Sequence, residues 1–225
     1  MAIIDNQANY YKFDINNSTQ IDSHGTDDLT VTDATFNASG KINGDYNYNG
    51  TTAFMIGDTP ITGYPFTING WVDTTATAGT IFELVDPSSG TTYLNLRMGA
   101  GGILVLVRRS GDGSDIVNGT TSINDGTPRM VTMICRSATD AEVFINASTE
   151  LTATANRPFT THDSLSIGRN SRSNDTSYLD GNVDEVGVWS ADKESDLPGL
   201  FNGNDGLQYP YDVEGDNSLF FANSF

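Results

Sequence analysis

Positive charge is scarce in this chain. Of 225 residues, 11 are Lys or Arg against 29 Asp or Glu, a formal net charge of −18. Such a surface does not match phosphates, so no nucleic-acid partner is expected. Cysteine is scarcer still. A lone Cys135 excludes an internal disulfide and a cysteine-coordinated zinc site. Its apolar, strand-like context, "MVTMICRS", predicts a buried, inert thiol. Long apolar runs are missing too. No segment is long enough to span a bilayer, there is no basic amphipathic helix, and membrane insertion is not expected. The opening "MAIIDNQANYYKF" has neither a basic leader nor an apolar core, so synthesis in a cytoplasm is expected.

Helical periodicity is nearly absent. Short β-branched and aromatic runs alternate with Gly, Asn, Asp and Ser clusters, the pattern of an all-β sandwich of two packed antiparallel sheets. Strands are predicted over 10–13, 28–32, 52–57, 66–74, 80–86, 92–98, 102–109, 129–136, 141–147, 149–154, 163–168 and 181–189. Gly99–Gly102 and Asn146–Thr149 read as hairpin turns. "GDGSD" (Gly111–Asp115) also reads as a turn, since it lacks the spacing of a calcium-binding loop. "SADKESDLPGLFNG" is the best helix candidate, capped by Ser190 or Ser195 and ended or restarted at Pro198. Ile103–Val107 is apolar throughout, so both faces of that strand should be covered, by a loop or by another subunit. The organisation expected is one domain over 1–212 and an apolar tail over 213–225. In that tail Leu219, Phe220, Phe221 and Phe225 would contact a partner or close the sandwich edge.

"GNVDEVGVWS" (Gly181–Ser190) raises the main question: two acids, Asp184 and Glu185, interrupt an otherwise apolar strand. Strict alternation would place them on opposite faces, unable to flank one bond. Other catalytic signals are absent. Glu83 has no acid at spacing two or four, "HDS" (His162–Ser164) lacks a nucleophile elbow, and "SGKIN" lacks the Walker spacing.

Four pieces, in order, resemble a known family: "YYKFDINNSTQIDSHGTDDLTV", "ASGKINGDYNYNGTTAFMI", "FTINGWV" and "LSIGRNSRSNDTSYLDGNVDEVGVWSADKESDLPGLFNG". Together they resemble the LamG-like jelly roll of the concanavalin A-like lectin/glucanase superfamily over residues 10–206. "PRMVTMIC" departs from it, with Arg129 and Met130 where relatives carry a Trp-His pair. The resemblance implies that Asp184 faces an edge where many relatives hold a structural Ca²⁺, with Asp14 supplying a second oxygen; the alternative is that Asp184 accepts backbone N–H groups. The Glu-x-Asp-x-Glu strand of catalytic relatives is absent, so no enzymatic activity is expected. Tyr46, Tyr48, Tyr64, Tyr93 and Tyr178, beside Asn or Gly, are rim or core tyrosines or sugar platforms.

The function expected is that of a non-catalytic virion surface protein, a phage capsid-decoration or tail-associated jelly roll. Its partners would be other virion proteins, a second copy of itself, and glycans. The alternative is a secreted, extracellular carbohydrate-binding module or adhesin domain.

Overall fold

The structure, a computed structural model, describes residues 2–111, 113–160, 162–173 and 177–211. The expected boundary at 212 and the tail residues Leu219, Phe220, Phe221 and Phe225 lie outside the described residues. Sixteen strands appear among the described residues. They are β1 (Gln7–Tyr11), β2 (Thr19–Gln20), β3 (Leu29–Thr32), β4 (Thr35–Asn37), β5 (Asp45–Asn49), β6 (Phe54–Asp58), β7 (Phe66–Asp73) and β8 (Gly79–Val85). They continue with β9 (Thr92–Met98), β10 (Ile103–Ser110), β11 (Gly113–Ser122), β12 (Arg129–Ser137), β13 (Asp140–Ile145), β14 (Ser148–Ala153), β15 (Ser164–Ile167) and β16 (Asp180–Trp189).

Two antiparallel sheets face each other. The first runs β14-β13-β12-β7-β16-β5-β4, with β1 also paired to β16; the second runs β11-β10-β9-β8-β15-β6-β3-β2. The predicted strands are all present, and the all-β jelly-roll sandwich is as expected. The four missed strands are β2, β4, β5 and β11. They are short or polar: β11 is an edge strand whose residues alternate between half-buried and exposed, so it carries no apolar run to read. "GDGSD" therefore turns only at its start and then enters β11, with Ser110 paired to Gly113.

The core is built from alternate residues of both inner faces, including Phe66, Ile68, Met133, Val186 and Val188 against Leu84, Leu96, Leu104 and Leu106. Cys135 lies in it, fully buried, and burial pushes its thiol up to about 12, as an inert core residue requires. Val105 and Val107, on the other face of β10, are buried within the same chain against Val85, Tyr93 and Ile103. The apolar run is thus covered on both sides without a second subunit.

The outer face of the first sheet is also apolar. Trp71, Met130, Ile134, Phe144 and Trp189 pack there beneath Leu197 and Leu200 of the short helix α1 (Leu197–Phe201). Pro198 stands in the first turn of α1. The expected caps are not used: α1 follows Asp196, and neither Ser190 nor Ser195 bonds a helix N–H. Arg136 fastens this corner, bonding Asp140 and Glu142 of the β12–β13 hairpin and Asp192 and Glu194 before α1.

Arg108 continues the inward row of Leu104 and Leu106, and its side chain is fully buried. Its guanidinium is satisfied by Asp115 (2.6 Å) and by the carbonyls of Ala155 (2.8 Å) and Ala138 (3.2 Å). Arg108→Ala would leave a partly buried carboxylate and two carbonyls unmatched. A loss of about 3–5 kcal/mol is expected, read as a lower urea midpoint with unchanged slope.

Candidate functional site

β16 has different partners along one edge. Asp180–Val183 pair with β5, whereas Val186–Trp189 pair with β1. Asp184 and Glu185 fall at the changeover, in a bulge against β7, with Glu185 at φ 51°. Val183 and Val186 both point into the core. The bulge therefore sends two successive side chains outward, and the expectation that the acids lie on opposite faces is corrected: an extra residue breaks the alternation.

Both acids are buried, each 2% exposed. Asp184 Oδ2 accepts the Ile42 N–H (2.8 Å), the arrangement expected as the alternative to a metal. Glu185 accepts the Tyr10 hydroxyl and the Gln208 amide. Gln208 also donates to Asp14 Oδ2 (2.9 Å), and the Gly44 N–H reaches Asp14 Oδ1 (3.3 Å). Tyr209 and Tyr211 pack on Tyr10 and close the layer. Burial, reinforced by the Glu185 charge, pushes Asp184 up to about 9; burial raises Glu185 to about 8 against the opposing bonds from Tyr10 and Gln208.

Beside this layer is a half-open cavity of about 90 Å³, lined by Asp45, Asp184, Trp71 and Lys41 among others. Lys41 Nζ stands 4.8 Å from the Trp71 ring centre and donates to the Asn204 carbonyl. Asp184 Oδ1 and Asp45 Oδ1 are buried here without a donor among the described residues. A hard cation needs about six to eight oxygens. Two carboxylates offer a start, and the rest would have to come from backbone carbonyls and water. Asp14 is engaged by Gly44 and Gln208, and no three His, Cys, Asp or Glu side chains among the described residues are placed to hold a metal.

An open cleft of about 720 Å³ lies at the rim, between the end of β6 and the segment entering β15. Phe159 forms its apolar wall, held edge-on to Tyr64 and Phe66. Asp58 and Asp163 are its exposed carboxylates; Thr59, Thr62 and Thr160 add hydroxyls. His162 packs against Phe159 at 4.6 Å between ring centres. Its Nδ1 lies 2.6 Å from the Thr160 carbonyl and must carry the proton, because a carbonyl only accepts. Nε2 is then an acceptor, and it is buried without a partner among the described residues. Burial lowers the His162 pKa, which keeps the ring neutral.

A family model described as the concanavalin A-like lectin/glucanases superfamily matches residues 48–196, more than half of the chain. The chain belongs to this superfamily. No curated protein matches it in sequence. Among solved structures, superfamily folds of toxin binding domains resemble it. One is a botulinum neurotoxin type C that enters cells in dependence on two ganglioside molecules (13% identity, TM-score 0.68, covering 88% of this chain and 51% of that one). Another is the binding domain of Paraclostridial mosquitocidal protein 1 (15%, 0.68, 89% and 52%). A third is the receptor-binding domain of botulinum neurotoxin type G (16%, 0.68, 88% and 51%). The chain spans about half the length of these domains, and at such identities the likeness is one of fold.

Of the tyrosines singled out as sugar platforms, Tyr46 and Tyr48 are core, Tyr93 is buried on the outer face of the second sheet, and Tyr64 is half-buried on Phe66. The rim cleft was not expected. Its one sequence signal is "PFTTHDS", a Phe and a His set among hydroxyls and an acid between strands.

A carboxyl whose pKa is higher in the folded chain holds its proton more tightly when folded. Its contribution is present below about pH 4, the ordinary carboxylate range, and is lost as pH climbs to about 9 for Asp184. Asp45, Asp14 and Glu185 face Asp184 as acids, and Lys41 lines the same cavity. In chelator, the melting temperature should therefore fall between about pH 5 and about pH 9. Asp184→Asn keeps an acceptor for Ile42 and removes the charge. It should melt above wild type by about 2–8 °C at the upper end, the equivalent of about 1–2 kcal/mol, and the gap should close toward pH 5. A scan of both proteins against pH checks this.

Proposed function

We propose that this chain is a non-catalytic recognition domain that takes a neutral sugar unit in the rim cleft. The cleft carries the reading: a ring wall for a pyranose face, and carboxylate and hydroxyl groups for sugar hydroxyls. Asp58 and Asp163 disfavour an anionic group at this position. The superfamily and the toxin receptor-binding folds support a binding role, and ganglioside interaction by one such toxin and a complex of another with synaptotagmin II allow a glycan or a protein receptor. The acids elsewhere serve structure: Glu83 is buried and bonded to Asn95 and the Ser171 N–H, Asp184 is buried and bonded to the Ile42 N–H, and Glu185 is buried under the Gln208–Tyr211 segment. A virion surface is the setting proposed from the sequence.

A glycan array followed by calorimetry tests the reading. Phe159→Ala should weaken a neutral glycan about tenfold or more without lowering the melting temperature by more than a few degrees, since Phe159 is half-buried. Turnover of any glycan, lost in Asp58→Asn or Asp163→Asn, would replace recognition by hydrolysis.

A structural Ca²⁺ at the Asp184–Asp45 cavity is a separate proposal, supported by the two carboxylate oxygens without donors. Calcium at a hundredfold excess over Kd should stabilise the fold by about 2.7 kcal/mol. That gain should disappear in Asp184→Ala; an unchanged melting curve with calcium or chelator would leave the Ile42 bond as the sole role of Asp184.

A further inference from the structure

Four of the eight arginines, Arg97, Arg109, Arg169 and Arg172, gather on the outer face of the second sheet. Tyr93, Asn95 and Arg97 alternate outward on β9, because Leu94, Leu96 and Met98 fill the core. Val105, Val107 and Arg109 do the same on β10. Arg109 stands directly opposite Tyr93 across the ladder, and Arg97 opposite Val105. The guanidinium of Arg172 lies 4.8 Å from the Tyr93 ring centre and donates to the Tyr93 hydroxyl (3.0 Å). Arg169 stacks 3.6 Å over Phe54 of β6, further across the same face.

What sets this face apart is the state of its cations. Of the other four arginines, three are matched with acids, Arg108 with Asp115, Arg129 with Asp125 and Arg136 with four carboxylates, and the fourth, Arg157, donates to the Asn156 and Ser114 carbonyls. Among the described residues, Arg97 and Arg109 make no hydrogen bond, ion pair or ring contact, and Arg172 bonds no carboxylate. The Nε of all three is buried without a partner among the described residues. Glu83, the carboxylate buried in the floor, is committed to Asn95 and the Ser171 N–H. Half-buried guanidinium groups without anions, on a protein of net charge −18, are an anion site in charge and in donor geometry.

Spacing narrows the ligand. Arg109 is level with Tyr93, and Arg97 is four residues further along the neighbouring strand, about 14 Å away by strand geometry. A nucleic acid, with a charge every ~1.7 Å of duplex, would be repelled by the acidic remainder of the surface. A polymer with sparse anions meets two separated cations and little repulsion between them.

We infer that the outer face of the second sheet, at Arg97, Arg109 and Arg172, binds an acidic polysaccharide carrying a carboxylate or sulfate on every second or third sugar. This surface is separate from the rim cleft and does not depend on it.

The probes are hyaluronan oligosaccharides for the carboxylate, κ-carrageenan oligosaccharides, with one sulfate per disaccharide and no carboxylate, for the sulfate, and dextran as the neutral control, each titrated into the full chain at low salt. Binding of at least one acidic polysaccharide and none of dextran is expected, with affinity falling as salt rises. The double variant Arg97→Gln/Arg109→Gln should lose tenfold or more. Arg97→Lys/Arg109→Lys keeps the charge without the fork and should retain part of the affinity, which separates lost recognition from lost folding. Phe159→Ala should leave this binding unchanged. No binding of either acidic probe by the wild type, or equal binding by the Gln double variant, overturns the inference. A wild type that instead self-associates through these arginines, and stops doing so in the Gln variant without binding either probe, overturns it in favour of a contact between copies.

Discussion

The structure turns on one geometric problem, the edge of β16 that is shared end to end by two strands. β5 and β1 arrive from different parts of the chain, and no register suits both without an extra residue between them. The bulge at Asp184 and Glu185 absorbs the mismatch while keeping Val183 and Val186 in the core. Two carboxyl groups are then turned toward a space that no strand fills. The loop carrying Ile42 and Gly44 and the returning segment with Gln208, Tyr209 and Tyr211 occupy that space. In a low-dielectric layer a carboxyl group without donors is costly, so the covering segments bring hydroxyl, amide and backbone N–H groups with them.

Much of the fold was legible in the sequence, because its strands either alternate or run apolar. The long strands from β7 to β10 and from β12 to β16 declare themselves through Val, Ile, Leu and aromatic residues. β5 hid behind Asn and Asp although Tyr46 and Tyr48 are fully in the core, and β11 hid because an edge strand has little to bury. The acid pair was visible as an anomaly, but its direction was not. A bulge is set by the partners a strand meets across the sheet, and those lie more than a hundred residues away. The rim cleft and the arginine face have the same origin: they are assembled from loops and neighbouring strands that adjoin only after the register is fixed.

The two outer surfaces of the sandwich are handled in opposite ways. On the first sheet, apolar residues and acids are sealed beneath α1 and the segment that follows it. On the second, Tyr93, Val105 and Val107 are buried beside half-buried arginine side chains, with Arg172 over the Tyr93 ring. One face is committed to stability. The other carries the proposed anion site, on arginines that pair with no acid among the described residues.

Arg136 shows what this distribution of charge means for sequence change. One guanidinium is shared by Asp140, Glu142, Asp192 and Glu194, and it joins a hairpin to the turn before α1. An acid lost from this set leaves three others on the same cation. The cation has no deputy, because 11 basic residues serve 29 acidic ones. Drift in this lineage should therefore be asymmetric: acids can be exchanged one at a time with little consequence, while each structural arginine is a single point of failure.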